Sequence, residues 1–238
     1  MKNVLIISYY WPPNTGSGVQ RWLKFSKYLP QFNWRPIIVT PDNPYIELKD
    51  NKLESEISNK VTVIKFPIWE PYSIKDKIFG KQKKSQTSGL ISKDNSFTNR
   101  LLNWIRGNFF IPDPKKYWIK PTVKSIKEIL NKQKVDVIIS SGPPHSMHLI
   151  ALELKKVYND LKWIADFRDP WTKLDILEDF NLNNRSRTLH QKLELKVLTN
   201  ADLVLTVGER WAKDFIDLGA KNVKVITNGY DQDDFKNY

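Results

Sequence analysis

The stretch NVLIISYYWPPNTGSGVQR, residues 3–21, decides the fold class. Its first part, Val4 to Ile7, is a short run that is apolar on both faces, as a strand buried inside a parallel sheet is. Pro12 and Pro13 interrupt the run, and Gly16 and Gly18 follow in a turn. From Val19 the apolar period changes: Val19, Trp22, Leu23, Ser26 and Leu29 recur at i, i+3, i+4, i+7 and i+10, one face of a helix that Pro30 ends. A buried strand, a glycine turn and an amphipathic helix in that order are the first half of a βαβ unit.

The same alternation runs outward through most of the chain. Strands are predicted at Asn3–Tyr9, Arg35–Thr40, Val61–Phe66, Val135–Ser140, Lys162–Asp166, Asp202–Val207 and Val223–Ile226. Helices are predicted at Pro121–Lys132, Pro144–Tyr158, Ser186–Leu198 and Glu209–Leu218, with Gly219 as the last one's C-cap. The expectation is an α/β fold: a Rossmann-like, doubly wound parallel sheet of about seven strands, with helices on both faces and an inserted basic helical segment over about 67–120. At 238 residues the chain suits one large domain or two small ones. Zero cysteines exclude disulfides, thiolate catalysis and cysteine metal sites, and three histidines leave little for a metal. No apolar run reaches the roughly 18 residues that span a bilayer. Lys2 before an apolar stretch mimics a secretory leader, but Pro12-Pro13 stands where small residues should mark cleavage.

The formal net charge of +12 is local. Residues 71–135 hold 15 Lys+Arg against 4 Asp+Glu, while residues 1–70 sum to +3 and 136–238 to −2. Such a segment can attract nucleic acid, an anionic membrane or a phosphorylated substrate. Lys81–Asn99, rich in Lys, Ser, Gln and Asn, reads as a solvated insertion. Its continuation interleaves Trp104, Arg106, Phe109, Phe110, Lys115, Lys116, Tyr117 and Trp118. These aromatics either dock on a charged surface or cover the sheet edge as core.

Three loops at carboxyl ends of strands, where open α/β sheets bind ligands, could carry chemistry. Gly16, Ser17 and Gly18 let the backbone approach an anion at a helix N-terminus. Arg21 stands where the third glycine of a dinucleotide fingerprint belongs, Asp42 is the only candidate ribose acid after the second strand, and no P-loop lysine follows. After the fourth strand come Ser141, Gly142, Pro143, Pro144 and His145, with the histidine expected in a helix's first turn and held neutral there. His148 shares its face, but without a carboxylate nearby the pair is a poor metal site. After the fifth strand, Asp166, Arg168, Asp169 and Trp171 put charges at the same rim. Either Asp166 or Asp169 pairs with Arg168 to shape the loop, or an aspartate or Arg168 contacts hydroxyls or phosphate of a polar substrate. No G-x-S-x-G elbow indicates a hydrolase.

The ordered set, Tyr9–Arg21, Ser141–His148, Ala165–Trp171, Asn200–Glu209 and Val225–Asp231, resembles the N-terminal half of a family 4 glycosyltransferase of the GT-B fold. The resemblance implies transfer of a sugar from a nucleotide-sugar donor to a glycan or lipid-linked acceptor with retention, without a metal or other cofactor, in surface polysaccharide synthesis. It implies that Gly16, Ser17, Gly18, Arg21, Gly142, Arg168 and Asp169 bind donor or acceptor and that His145 sits beside the donor sugar. It also implies that the chain, residues 1–238, is the acceptor-side lobe, inactive without a C-terminal donor lobe that the sequence lacks. Trp104, Arg106, Lys115, Lys116 and Trp118 are then expected to dock on acceptor or on an anionic membrane, giving a cytoplasmic protein peripheral on the inner membrane face. The competing expectations are a stand-alone nucleotide-binding Rossmann domain, opposed by the missing third glycine, and a nucleic-acid module, for which no recognition motif speaks.

Overall fold

The computed structural model describes residues 1–45, 48–71 and 97–235. Strands β1 (Lys2–Ile7), β2 (Trp34–Pro41), β3 (Thr62–Phe66), β4 (Val137–Gly142), β5 (Lys162–Phe167), β6 (Leu203–Thr206) and β7 (Val223–Val225) form one sheet of order β3-β2-β1-β4-β5-β6-β7. Every pairing in it is parallel. The order reverses between β1 and β4, and at such a switch point the connections leave in opposite directions and open a crevice at the strands' carboxyl ends.

Helices α1 (Ser17–Tyr28), α2 (Lys52–Ser55), α3 (Phe97–Phe109), α4 (Ile119–Lys132), α5 (Ser146–Lys155), α6 (Asn184–Asn200) and α7 (Glu209–Asp217) connect the strands. The period-2 geometry of β1 divides the core between the two faces of the sheet. Leu5 and Ile7 join Trp118, Ile126, Met147, Ile150, Trp163 and Phe167 on one side. Val4 and Ile6 join Val19, Trp22 and Leu23 of α1 on the other. The doubly wound expectation therefore holds, and the helical face read from Val19, Trp22, Leu23 and Ser26 is the buried one.

Three details differ from the sequence reading. Strand β1 ends at Ile7, so Tyr9 and Tyr10 belong to the rim, where they meet edge to edge at 5.1 Å. The helix after β4 starts at Ser146 rather than Pro144, and His145 occupies its N-cap position. Its capping carboxylate comes from the insertion: Asp113 accepts from the Ser146 backbone N–H and hydroxyl, both at 2.8 Å. Trp118, expected to dock on an exterior surface, is instead 0% exposed and part of the core, where burial of its large ring against the sheet outweighs any surface role. Of the Lys81–Asn99 stretch, residues 81–96 lie outside the described residues.

Candidate functional site

The switch point brings the loop after β1 and the loop after β4 side by side. In the first loop Gly16 caps α1 with no side-chain hydrogen bond, and Gly16 and Ser17 are exposed, so the helix presents free backbone N–H groups to solvent. Gly18 lies in the first turn. A Cβ there would meet Arg168 Nη1 at 2.7 Å and the Tyr10 ring at 3.0 Å, so glycine is what lets the arginine from the loop after β5 lie against α1. The guanidinium sits 5.6 Å from the Tyr10 ring centroid and donates from Nη2 to the Pro143 carbonyl, while its Nε has no partner. Among the described residues no carboxylate lies within ion-pair distance of Arg168. Burial pushes its pKa below the ordinary arginine value, yet arginine keeps its charge in proteins. The rim thus holds a desolvated cation beside an open helix N-terminus, a combination suited to an anion.

The second loop leads into α5 with His145 and His148, three residues apart and therefore on one helix face. Their rings lie 5.7 Å apart. His145, 8% exposed, stacks flat on Trp171 at 4.7 Å and 0°, and His148, fully buried, stacks on Phe167 at 4.2 Å. A Cβ on Gly142 would come within 2.5 Å of His148 Nε2 and 3.1 Å of His145 Nδ1, so the absence of a side chain there is what admits both rings. Ser140 Oγ accepts from Trp163 Nε1 at 2.9 Å and shares a 2.8 Å hydrogen bond with His148 Nδ1. Burial first, then repulsion from His148, His190 and Arg168, holds His145 well below the usual imidazole range. Burial and Arg168 bring His148 down to about 3. Both rings are neutral at pH 7.

Two elements that motif reading left out set the His145 ring. Trp171, its stacking platform, donates from Nε1 to His190 Nδ1 at 3.0 Å. Glu194, buried on α6, accepts from the Trp171 and Thr172 backbone N–H groups at 3.2 Å and from the Thr172 hydroxyl. Trp171 stood inside the quoted motif, but nothing in the sequence connects it to His190 and Glu194 on a later helix.

Arg21 departs from expectation. It is buried, and its Nη2 reaches Asp166 at 3.0 Å and its Nε at 3.2 Å, while Nη1 donates to the Ile226 carbonyl at 3.0 Å. Asp166 also accepts from Trp22 Nε1 at 2.8 Å and Ser141 Oγ at 3.0 Å. With every donor turned inward, Arg21 is an internal brace and not a ligand contact, because a buried carboxylate needs that many donors to remain charged. The aspartate thereby pairs with Arg21 and leaves Arg168 to the rim. Asp169 is exposed beside Arg168.

The aromatic and basic residues of the insertion divide. Lys115 is turned inward, paired with buried Glu70 at 2.7 Å and lying 4.8 Å from the Tyr9 ring centroid; burial and Glu70 push the Tyr9 phenol well above its usual range. Arg106 packs over Phe180 at 5.3 Å beside a cavity of about 60 Å³ lined also by Phe110, Asp113 and His190. Trp104 and Phe109 face solvent together, Phe109 being 59% exposed. Trp69, 52% exposed, meets exposed Tyr117 at 4.8 Å, with Lys116 over the Tyr117 ring at 5.2 Å. Among the described residues no helix is long and apolar enough to cross a membrane.

The doubly wound, all-parallel sheet is a Rossmann-like fold of the kind that GT-B glycosyltransferases share. The sequence profile of Glycosyltransferase Family 4 matches residues 87–234, more than half of the chain, and the chain belongs to that family. No curated protein matches it. Among solved structures, sucrose-phosphate synthase from Thermosynechococcus elongatus aligns over 98% of this chain and 49% of its own, with 13% identity and a TM-score of 0.55. A glycosyltransferase from Rickettsia africae aligns over 99% and 45%, with 15% identity and a TM-score of 0.51. Phytolacca americana UGT2, complexed with UDP-2-fluoro-glucose and pterostilbene, aligns over 99% and 56%, with 10% identity and a TM-score of 0.55. The chain spans about half the length of these structures, and at such identities the likeness is one of fold.

Proposed function

We propose that residues 1–238 are the acceptor-side lobe of a retaining, metal-independent glycosyltransferase that moves a sugar from a nucleotide-sugar donor to a glycan or lipid-linked acceptor in surface polysaccharide synthesis, and that a second lobe supplies the nucleotide contacts. Family membership supports the reaction class. The observation that carries the site is Arg168, which among the described residues has no carboxylate within ion-pair distance and lies against Gly18 at the open N-terminus of α1. Sugar transfer leaves charge on a nucleoside diphosphate, and fixed N–H donors and a cation in a drying cleft stabilise that charge as it develops. In this reading His145 hydrogen-bonds a sugar hydroxyl; its neutral ring, stacked on Trp171, supports that role because it adds no charge to repel a cationic transition state. Asp169 is the exposed acid available to hydroxyls.

Docking on the inner membrane face belongs to the same reading. The groups for it are Trp104, Phe109, Tyr117, Trp69 and Lys116, since aromatics with polar edges and nearby cations suit an anionic interface. Lys115 and Trp118 are engaged inside the lobe and do not contribute.

Release of nucleoside diphosphate from a panel of nucleotide sugars tests the proposal. The chain alone is expected to give no transfer, and the chain joined to a GT-B donor lobe to give transfer that falls about a hundredfold or more in Arg168→Ala, the usual scale for losing one transition-state donor. Transfer by the chain alone refutes the half-enzyme reading; unchanged turnover in Arg168→Ala refutes the site.

A further inference from the structure

The segment after β7 runs back along α1. Ile226 still donates its N–H to Thr206 at the end of β6, at 2.8 Å. Arg21 Nη1 then takes the carbonyls of Ile226 and Thr227 and the side chain of Asn228 at 3.0, 3.4 and 3.2 Å. One turn further along α1, Lys24 reaches Asp234 at 2.5 Å, Asp231 at 3.5 Å and Glu56 beside α2 at 2.7 Å. At the helix end Lys27 holds Asp231 at 2.8 Å and Asp233 at 2.6 Å, and the Tyr28 hydroxyl donates to Asp231 at 2.6 Å. Residues 21, 24 and 28 make one stripe along the helix, and cations near its C-terminus also meet the negative end of its dipole.

Apolar burial contributes little here. Ile226, Tyr230 and Phe235 are all exposed, and the buried group of the segment is the Asp231 carboxylate. A segment held by partly exposed ion pairs opens at low cost and responds to salt, unlike one held by a core. Its inner anchor is not isolated, because the remaining nitrogens of Arg21 go to Asp166, and Asp166 binds Trp22 and the Ser141 hydroxyl. Ser141 adjoins Gly142, Asp166 lies two residues before Arg168, and Arg21 lies one turn beyond Gly18.

We propose that residues 226–234 form a charge-latched strap on α1, and that Arg21 couples its latching to the glycine loop. The strap gives the chain after β7 a direction fixed relative to the ligand crevice, and unlatching loosens both. The device stands on contacts within this chain and does not require the glycosyltransferase reading.

Hydrogen exchange read by mass spectrometry on the 238-residue chain tests it. In Asp231→Asn and in Lys27→Gln, amides of 227–234 are expected to exchange about tenfold faster, and about 0.5 M NaCl to do the same to the wild type, as loss of a few partly exposed pairs predicts. Within residues 14–19 the protected amides, Asn14 bonded to the Trp11 carbonyl and Val19 bonded to the Gly16 carbonyl, are expected to speed up in the same samples, while the strands of the sheet do not. Wild-type exchange of 227–234 at the unstructured rate, or exchange indifferent to both substitutions and salt, overturns the strap. Faster exchange of 227–234 with unchanged residues 14–19 overturns the coupling.

Discussion

Acid should unfold this lobe at a pH where its carboxylates are still ionised, because its histidines are buried neutral. His148 titrates at about 3 in the folded chain and His145 well below its ordinary value, both chiefly through burial. In the unfolded chain each returns to about 6.5. A histidine with a depressed folded pKa binds protons only when unfolded, so stability is present above pH 6.5, falls as pH drops through it, and keeps falling until the folded pKa is reached. Between pH 7 and pH 5 His148 alone removes about 2 kcal/mol, a sizeable part of a domain's stability, and His145, shifted in the same direction, adds to the loss. His190, also lowered by burial, adds to the loss, and Glu194, raised by burial, opposes it. Asp136, Asp202 and Asp231 have lowered pKa values and lose their contribution only below about pH 4. Urea unfolding followed by tryptophan fluorescence at pH 7 and pH 5 measures the slope. His148→Gln, which keeps a polar group toward Ser140, should start less stable at pH 7 and lose about 2 kcal/mol less on acidification. A wild type equally stable at both pH values, or a variant with the wild-type slope, refutes the reasoning.

Other substitutions separate support from contact. Arg21→Met leaves the Asp166 carboxylate buried without its guanidinium and should cost about 3–5 kcal/mol in urea unfolding, with much of it recovered in Arg21→Met/Asp166→Asn. Gly142→Ala pushes a methyl to 2.5 Å from His148 Nε2 and should cost about 1–3 kcal/mol while disturbing the His145 and His148 resonances in NMR spectra. Asp113→Ala removes the cap of α5 and should cost about 1 kcal/mol in thermal unfolding at neutral pH. In liposome sedimentation with anionic lipid, Phe109→Ser and Trp69→Ser should weaken binding in salt-sensitive fashion without loss of stability. Trp118→Ala should instead lower stability by about 3–5 kcal/mol, as core tryptophans do.

The sheet was legible because its signal is local. Each buried strand is a short apolar run, each helix repeats at 3.6, and the alternation of the two implies parallel crossovers without knowledge of any contact. Even the boundaries were close: β5 was expected at Lys162–Asp166 and is Lys162–Phe167. The glycine loop and the His145 loop were legible for the same reason, since both follow strands and the carboxyl rim of a doubly wound sheet is where ligands bind.

What the sequence could not decide is which polar groups point inward. The sequence offered Asp166 or Asp169 only Arg168 as a partner, whereas Asp166 pairs with Arg21 across 145 residues, because α1 turns Arg21 and Trp22 toward the carboxylate. Trp118 and Phe109 looked equivalent in the insertion, yet one closes the core and the other faces solvent. Composition determines that this chain must bury a parallel sheet and carry its excess charge in one segment. Only the tertiary structure decides which cations are neutralised inside and which remain at the crevice, because desolvation and pairing depend on residues brought together from far apart in the chain.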